Sequence, residues 1–265
     1  MIEKPEHIRY FENIKLEEVD NFQHPLDNFS RIDQTFATPF MESDTSLPEK
    51  MRSDLVEVLQ EKEHGMEEMR QSNPDFYSMA TSKGFYATTH YNLFDNPGEF
   101  PSAKQSILDF EIIACQMIRY YIRKGWGIKE ADEMELEGRC FGNVQKTGAR
   151  TYPHYHQDIN GVLVHYLAVG DESVDIKEKI AIDTEKSPRH PSHQVIFLDP
   201  RPAIAYPYWE KVHTVTPRVG LTIIHPNYVW HETNPWLGDG LRVCIVVNFR
   251  IVSHGYNELI KPLRG

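Results

Sequence analysis

The stretch Tyr152-Pro153-His154-Tyr155-His156-Gln157-Asp158 gathers two imidazoles and a carboxylate at alternate positions. On an extended chain alternate side chains point to the same face, so these three groups would converge. Another imidazole, His231, follows Trp230 far downstream, and Arg242 stands at the head of the β-rich run Arg242-Val243-Cys244-Ile245-Val246-Val247. Two histidines and a carboxylate can hold one face of an octahedral transition metal and leave three positions open for reactants. A fixed guanidinium nearby is what a small dicarboxylate would need. The candidate metal ligands are therefore His156, Asp158 and His231, with Arg242 as an anion anchor.

The neighbouring residues leave alternatives. Arg150, Tyr152, His154, His156 and Asp158 would share one strand face, a set too polar for a core. Pro153 puts this strand at an edge or rim, where a site would be open. His154 and His156 form a second same-face pair, which would suit a cupin-like site. Such a site wants a glutamate a few residues further on, where Asn160 and Gly161 stand. His154 is thus placed beside the metal as a pocket residue. His213 and His225 are alternative third imidazoles, and His225, directly before Pro226, reads as structural. Arg242 opens the most apolar run of the chain, and a buried arginine there calls for an anionic partner. Arg242, Cys244, Val246 and Asn248 share its face.

The elements that must position these groups fall into two halves. The first 45 or so residues are aperiodic and form an arm. Ser46-Leu47-Pro48-Glu49 is a capping-box pattern before a helix running to about Gln71, broken by Asn73-Pro74-Asp75. A second helix starts at Ser102 and ends at Gly125. Ile107, Phe110, Ala114, Met117 and Tyr121 form its apolar stripe, joined by Leu108, Ile118 and Ile122. From Met134 the pattern turns to strands: 134–145, 159–169, 193–198, 212–216, 221–225 and 241–251. No helix interrupts them, so the sheet should be antiparallel. The charged segment 170–191 reads as a surface excursion, and Tyr86, His90, Tyr91 and Phe94 as a lid. The fold class is α+β, with residues 1–133 as arm and support helices, 134–253 as a sandwich, jelly roll or barrel, and 254–265 as a tail.

Composition narrows the partners. The chain has 265 residues, a net charge of −11 and 40% hydrophobic residues, ordinary for a globular protein with a sizeable core. Its acidity argues against nucleic acid and anionic membranes as partners, and favours a small-molecule substrate. Three cysteines with no Cys-x-x-Cys pair imply a reducing compartment. With no apolar signal segment or membrane-length run, the expected location is cytoplasmic.

Taken in order, His156-x-Asp158, Gly220-x-x-x-x-His225-Pro226-x-x-x-x-His231, Asn234-Pro235 and Arg242 resemble the Fe(II)/2-oxoglutarate-dependent oxygenase superfamily over roughly residues 134–252. The resemblance implies a double-stranded β-helix, or jelly roll, buttressed by N-terminal helices. It implies His156, Asp158 and His231 as iron ligands and Arg242 as partner of the distal carboxylate of 2-oxoglutarate. It also implies O2 as oxidant, succinate and CO2 as co-products, and hydroxylation of a C–H bond. The expected substrate is a small polar metabolite such as an amino acid or natural-product intermediate, with a protein side chain as the runner-up. Two departures stand out. Cys244 replaces a hydroxyl residue common two positions after the arginine, so another donor, such as a tyrosine, is needed. His225 stands where an aromatic is usual. Tyr152, His154 and Cys244 complete the expected co-substrate pocket. The alternatives are a cupin-like metalloenzyme without 2-oxoglutarate and a non-enzymatic jelly-roll binding protein. The sequence leaves the oligomeric state open.

Overall fold

The computed structural model describes residues 38–72, 85–87, 91–170, 194–201 and 211–252. The expected arm up to residue 37, the excursion over 171–191, the lid residue His90 and the tail 254–265 lie outside the described residues, as does the side chain of Tyr86.

Among the described residues nine strands form two antiparallel sheets. They are β1 (Met41–Asp44), β2 (Phe85–Ala87), β3 (Leu136–Gln145), β4 (Gly161–Val169), β5 (Val195–Leu198), β6 (Val212–Val215), β7 (Leu221–Pro226), β8 (His231–Thr233) and β9 (Arg242–Ile251). The larger sheet has the order β1-β7-β4-β9-β3-β2, and the smaller β6-β5-β8. The six strands expected from sequence are present to within a residue or two. The short strands β1, β2 and β8 were not foreseen. With three residues each, β2 and β8 are too brief to show a period of two, and β1 lies within the stretch read as an arm and is defined by its pairing with β7.

Strands β3 and β9 pair along their whole length, from Leu136 opposite Ile251 to Gln145 opposite Arg242. This register gives the larger sheet two chemically distinct faces. Val243, Ile245, Val247 and Phe249 join the core formed with the helices. Cys244 and Val246 join the core between the sheets, and Arg242 lies on that same face because side chains alternate.

Among the described residues two α-helices cover the outer face, α1 (Glu49–Ser72) and α2 (Lys104–Gly125). Of the expected stripe of α2, Ile107, Phe110, Ala114, Ile118, Tyr121 and Ile122 are buried, whereas Met117 and Leu108 are only half-buried at its margins. The helix begins at Lys104 because the chain from Pro101 to Ala103 is still a turn, with the Ala103 amide donating to Phe100 O at 3.0 Å. Helix α1 meets the sheet where β3 carries Gly142. A Cβ there would run into the Leu59 side chain, which would have to shift, so glycine allows this close approach. Among the described residues no helix is long and apolar enough to cross a membrane.

Candidate functional site

The stretch 151–158 is not a continuous strand. It makes an isolated antiparallel bridge, His154 to His231, and then bends from Gln157 onward. The bridge is hydrogen-bonded both ways, His154 N to His231 O at 3.0 Å and His231 N to His154 O at 2.9 Å. A second clamp follows: the His156 amide donates to Asn227 O at 3.0 Å, and Asn227 Nδ2 donates to His156 O at 3.1 Å.

These clamps bring three imidazoles together. The potential ligand atoms of His154, His156 and His231 all lie within 4.8 Å of one another. Two rings are oriented by main-chain carbonyls. His154 Nδ1 faces Tyr152 O at 2.8 Å and His231 Nδ1 faces Val229 O at 3.0 Å. A carbonyl can only accept, so each Nδ1 carries the proton and each Nε2 keeps a lone pair for a metal. Burial, followed by the neighbouring imidazoles, lowers His156 to about 3 and holds His231 well below its ordinary value. Burial also lowers His154. All three are therefore neutral at pH 7, the form that binds metal.

Asp158 is not brought to this cluster. The bend ends the alternation that would have aligned it with His156. Asp158 takes a left-handed φ of 58°, is exposed, and lines a second, open cavity with Arg139, Asn248 and Arg250. Tyr152 also stands elsewhere than expected: it is exposed, with the Arg150 guanidinium 4.7 Å from its ring centre. Thr151 faces the cavity instead.

The cluster opens on a cavity of about 300 Å³ lined from both sheets. Arg242 and Cys244 line it as expected. Arg242 is 1% exposed; its Nε donates to Gln145 Oε1 and its Nη2 to Asn234 O at 3.3 Å. Burial lowers its pKa, opposed by Tyr166 and Cys244 beside it, yet it stays protonated far above pH 7. Burial pushes the Cys244 thiol up to about 11, so it is a thiol rather than a thiolate.

Sequence reasoning missed Gln145, Tyr166, Asn143 and the inward role of His225. Gln145 is paired with Arg242 across the ladder, and its Nε2 donates to Thr151 Oγ1 at 3.2 Å. Tyr166 sits opposite Cys244 on β4 and lines the cavity. The available signal was parity. Phe141, Asn143 and Gln145 share one face of β3, and polar residues on a buried strand face line a cavity more readily than a core. His225 is fully buried, with its Nδ1 facing Pro226 O at 2.9 Å and its ring 4.8 Å from that of His231.

Residues 139–248 match the family model described as putative 2OG-Fe(II) oxygenase. That segment contains every candidate site residue, and the resemblance expected from the sequence holds at the level of the superfamily. No curated protein matches the chain. Among solved structures, a prolyl-4-hydroxylase of Pseudomonas putida is similar at 15% identity and a TM-score of 0.45, covering 82% of this chain and 94% of that chain. A Trichoplax adhaerens prolyl hydroxylase, in complex with a hypoxia inducible factor oxygen degradation domain peptide fragment, has 11% identity and a TM-score of 0.48, covering 86% and 88%. HygX from Streptomyces hygroscopicus, with iron bound, has 11% identity and a TM-score of 0.45, covering 80% and 82%.

Proposed function

We propose that this chain is an Fe(II)- and 2-oxoglutarate-dependent dioxygenase that hydroxylates a C–H bond of a small polar molecule. The carrying observation is the convergence of three neutral imidazoles within 4.8 Å in one cavity with a buried guanidinium. The donor set fits a first-row divalent metal, since imidazole suits iron and leaves coordination positions open. Iron and 2-oxoglutarate together would supply the activation of O2. His156 and His231 belong both to the set expected from the sequence and to the cluster formed here. His154 takes the third place in this arrangement, and Asp158 is the alternative that mutagenesis must separate from it.

The chain's own residues divide the remaining work. Arg242, oriented by Gln145, would hold the distal carboxylate, and Tyr166 would supply the hydroxyl that Cys244 lacks. Val164, Val246, Phe141 and Ile223 form an apolar belt across the cavity wall, which keeps water from the centre. Two facing antiparallel sheets with helices on one side support the double-stranded β-helix reading. A cupin-like enzyme without co-substrate would leave Arg242 and Tyr166 no anion to hold.

The test is anaerobic addition of Fe(II) and then 2-oxoglutarate to metal-free protein, watching for the visible charge-transfer band of a chelated keto acid. The expected band needs both additions and disappears in Arg242→Met. Iron binding with no band on adding 2-oxoglutarate would overturn the proposed co-substrate.

A further inference from the structure

The wall of the main cavity has an end whose polar groups that proposal leaves unused. His225 on β7, Val162 on β4 and Asn248 on β9 stand side by side, because Val162 pairs with His225 on one edge and with Asn248 on the other. All three side chains line the cavity. His225 Nε2 and Asn248 Oδ1 are buried atoms without a hydrogen-bond partner. His225 is 0% exposed. Its Nδ1–H donates to Pro226 O, so its Nε2 offers a lone pair and no proton. Both orphans are therefore acceptors. Leaving a buried acceptor empty costs its full desolvation penalty, so such a pair on one row calls for a ligand.

That ligand is not the co-substrate. Arg242 lies at the opposite end of β9, and the apolar belt of Val164, Val246, Phe141 and Ile223 separates it from the acceptor row. Moreover, 2-oxoglutarate offers carboxylates and a ketone, all acceptors, and would meet His225 and Asn248 lone pair to lone pair. Asn248 also lines the second, larger cavity. Asn248 thus stands where the two cavities meet, and His225 faces only the first.

Resting on the oxygenase reading, we propose that His225 and Asn248 recognise the substrate to be oxidised, and that this substrate is a small molecule bearing several hydrogen-bond donors, hydroxyl or amine. The two residues stand two strand spacings apart, about 10 Å, so the donors they meet lie on different parts of the ligand. Residue 225 is then a specificity determinant: an aromatic ring there could not accept, and a histidine does.

The test is nitrogen NMR of ¹⁵N-histidine-labelled protein loaded with Zn(II) and 2-oxoglutarate, whose binding is verified first. The His225 signals are assigned with whichever of His225→Phe and His225→Gln folds. Before any addition, the ring must show a protonated Nδ1 and a bare Nε2; the other tautomer overturns the proposal. The probes are myo-inositol against its hexamethyl ether, and 1,4-diaminobutane against its bis-trimethylammonium counterpart. The expected result is a shift of the His225 Nε2 line by a donor-bearing probe and none by its methylated partner. Inositol and the diamine distinguish hydroxyl from amine recognition, and Asn248→Leu should weaken the effective probe about tenfold. No shift from either donor-bearing probe, or equal shifts from the methylated ones, overturns the proposal. Should Zn(II) or 2-oxoglutarate fail to bind, the oxygenase reading falls instead, and the same titration of metal-free protein still decides the acceptor row.

Discussion

The main chains of His154 and His231 are hydrogen-bonded to each other in both directions, at 3.0 and 2.9 Å, and their rings lie 4.2 Å apart. A strand bridge thus joins two chain segments far apart in sequence and fixes both imidazoles on one side. The proposed ligand set rests on this bridge, and it can be tested by alanine substitution. Loss of His154, His156 or His231 should weaken Fe(II) or Co(II) binding by more than about 100-fold, beyond the range for residues that only support a ligand. Asp158→Ala should leave it nearly unchanged. Metal titration calorimetry on the four variants decides. Loss of binding in Asp158→Ala with retention in His154→Ala would restore the carboxylate set.

Arg242 and Tyr166 frame one end of the cavity. Charge-assisted hydrogen bonds contribute about 1.5–3 kcal/mol each and neutral ones about 1 kcal/mol. Arg242→Met should therefore weaken 2-oxoglutarate binding by about 10- to 100-fold, and Tyr166→Phe by about fivefold, in anaerobic titrations of the Fe(II) protein. Unchanged affinity in both variants would remove the anion from this end.

Stability should depend on pH through histidines buried as neutral rings. His165 packs beneath Phe110 with Nδ1 2.8 Å from Thr222 Oγ1, and burial lowers it to about 4, as it does His225. The unfolded chain protonates these rings near pH 6.5, whereas the folded chain does so only near 4. Unfolding is therefore favoured as pH falls from about 6.5 to about 4, and neither ring contributes to the dependence above about pH 7. Urea unfolding of metal-free protein should show this loss. His165→Gln should make its slope shallower by about 1.4 kcal/mol per pH unit. Identical slopes would show that His165 is protonated in the folded state.

Gly142 and Leu59 form one contact between β3 and α1. Gly142→Ala should destabilise by about 1–3 kcal/mol through overpacking, and Leu59→Ala by about 2–5 kcal/mol through the cavity it leaves. The double variant should cost less than the sum, because the new methyl enters the vacated space. Strict additivity in thermal or urea unfolding would show that the two side chains do not meet.

Local patterns in the sequence were enough to determine much of this protein. The alternation of β9, with Arg242, Cys244, Val246 and Asn248 on one face, follows from the period of two in any strand. The stripe of α2 follows from the helical period, and the turn formers before Glu49 mark where α1 begins. His156, His231 and Arg242 stood out as candidates because an imidazole or guanidinium beside an apolar strand needs a partner or a ligand. Only the tertiary structure decided the rest. Parity aligned Asp158 with His156, but the bend after His156 turns it into a different cavity. His154 enters the cluster because β8, three residues long and invisible to periodicity, offers its main chain as a partner. His225 read as structural beside Pro226, and its role as an inward acceptor depends on Val162 and Asn248, strands away in sequence. Spacing fixes which groups a strand can present, whereas hydrogen bonds between distant segments fix which of them meet.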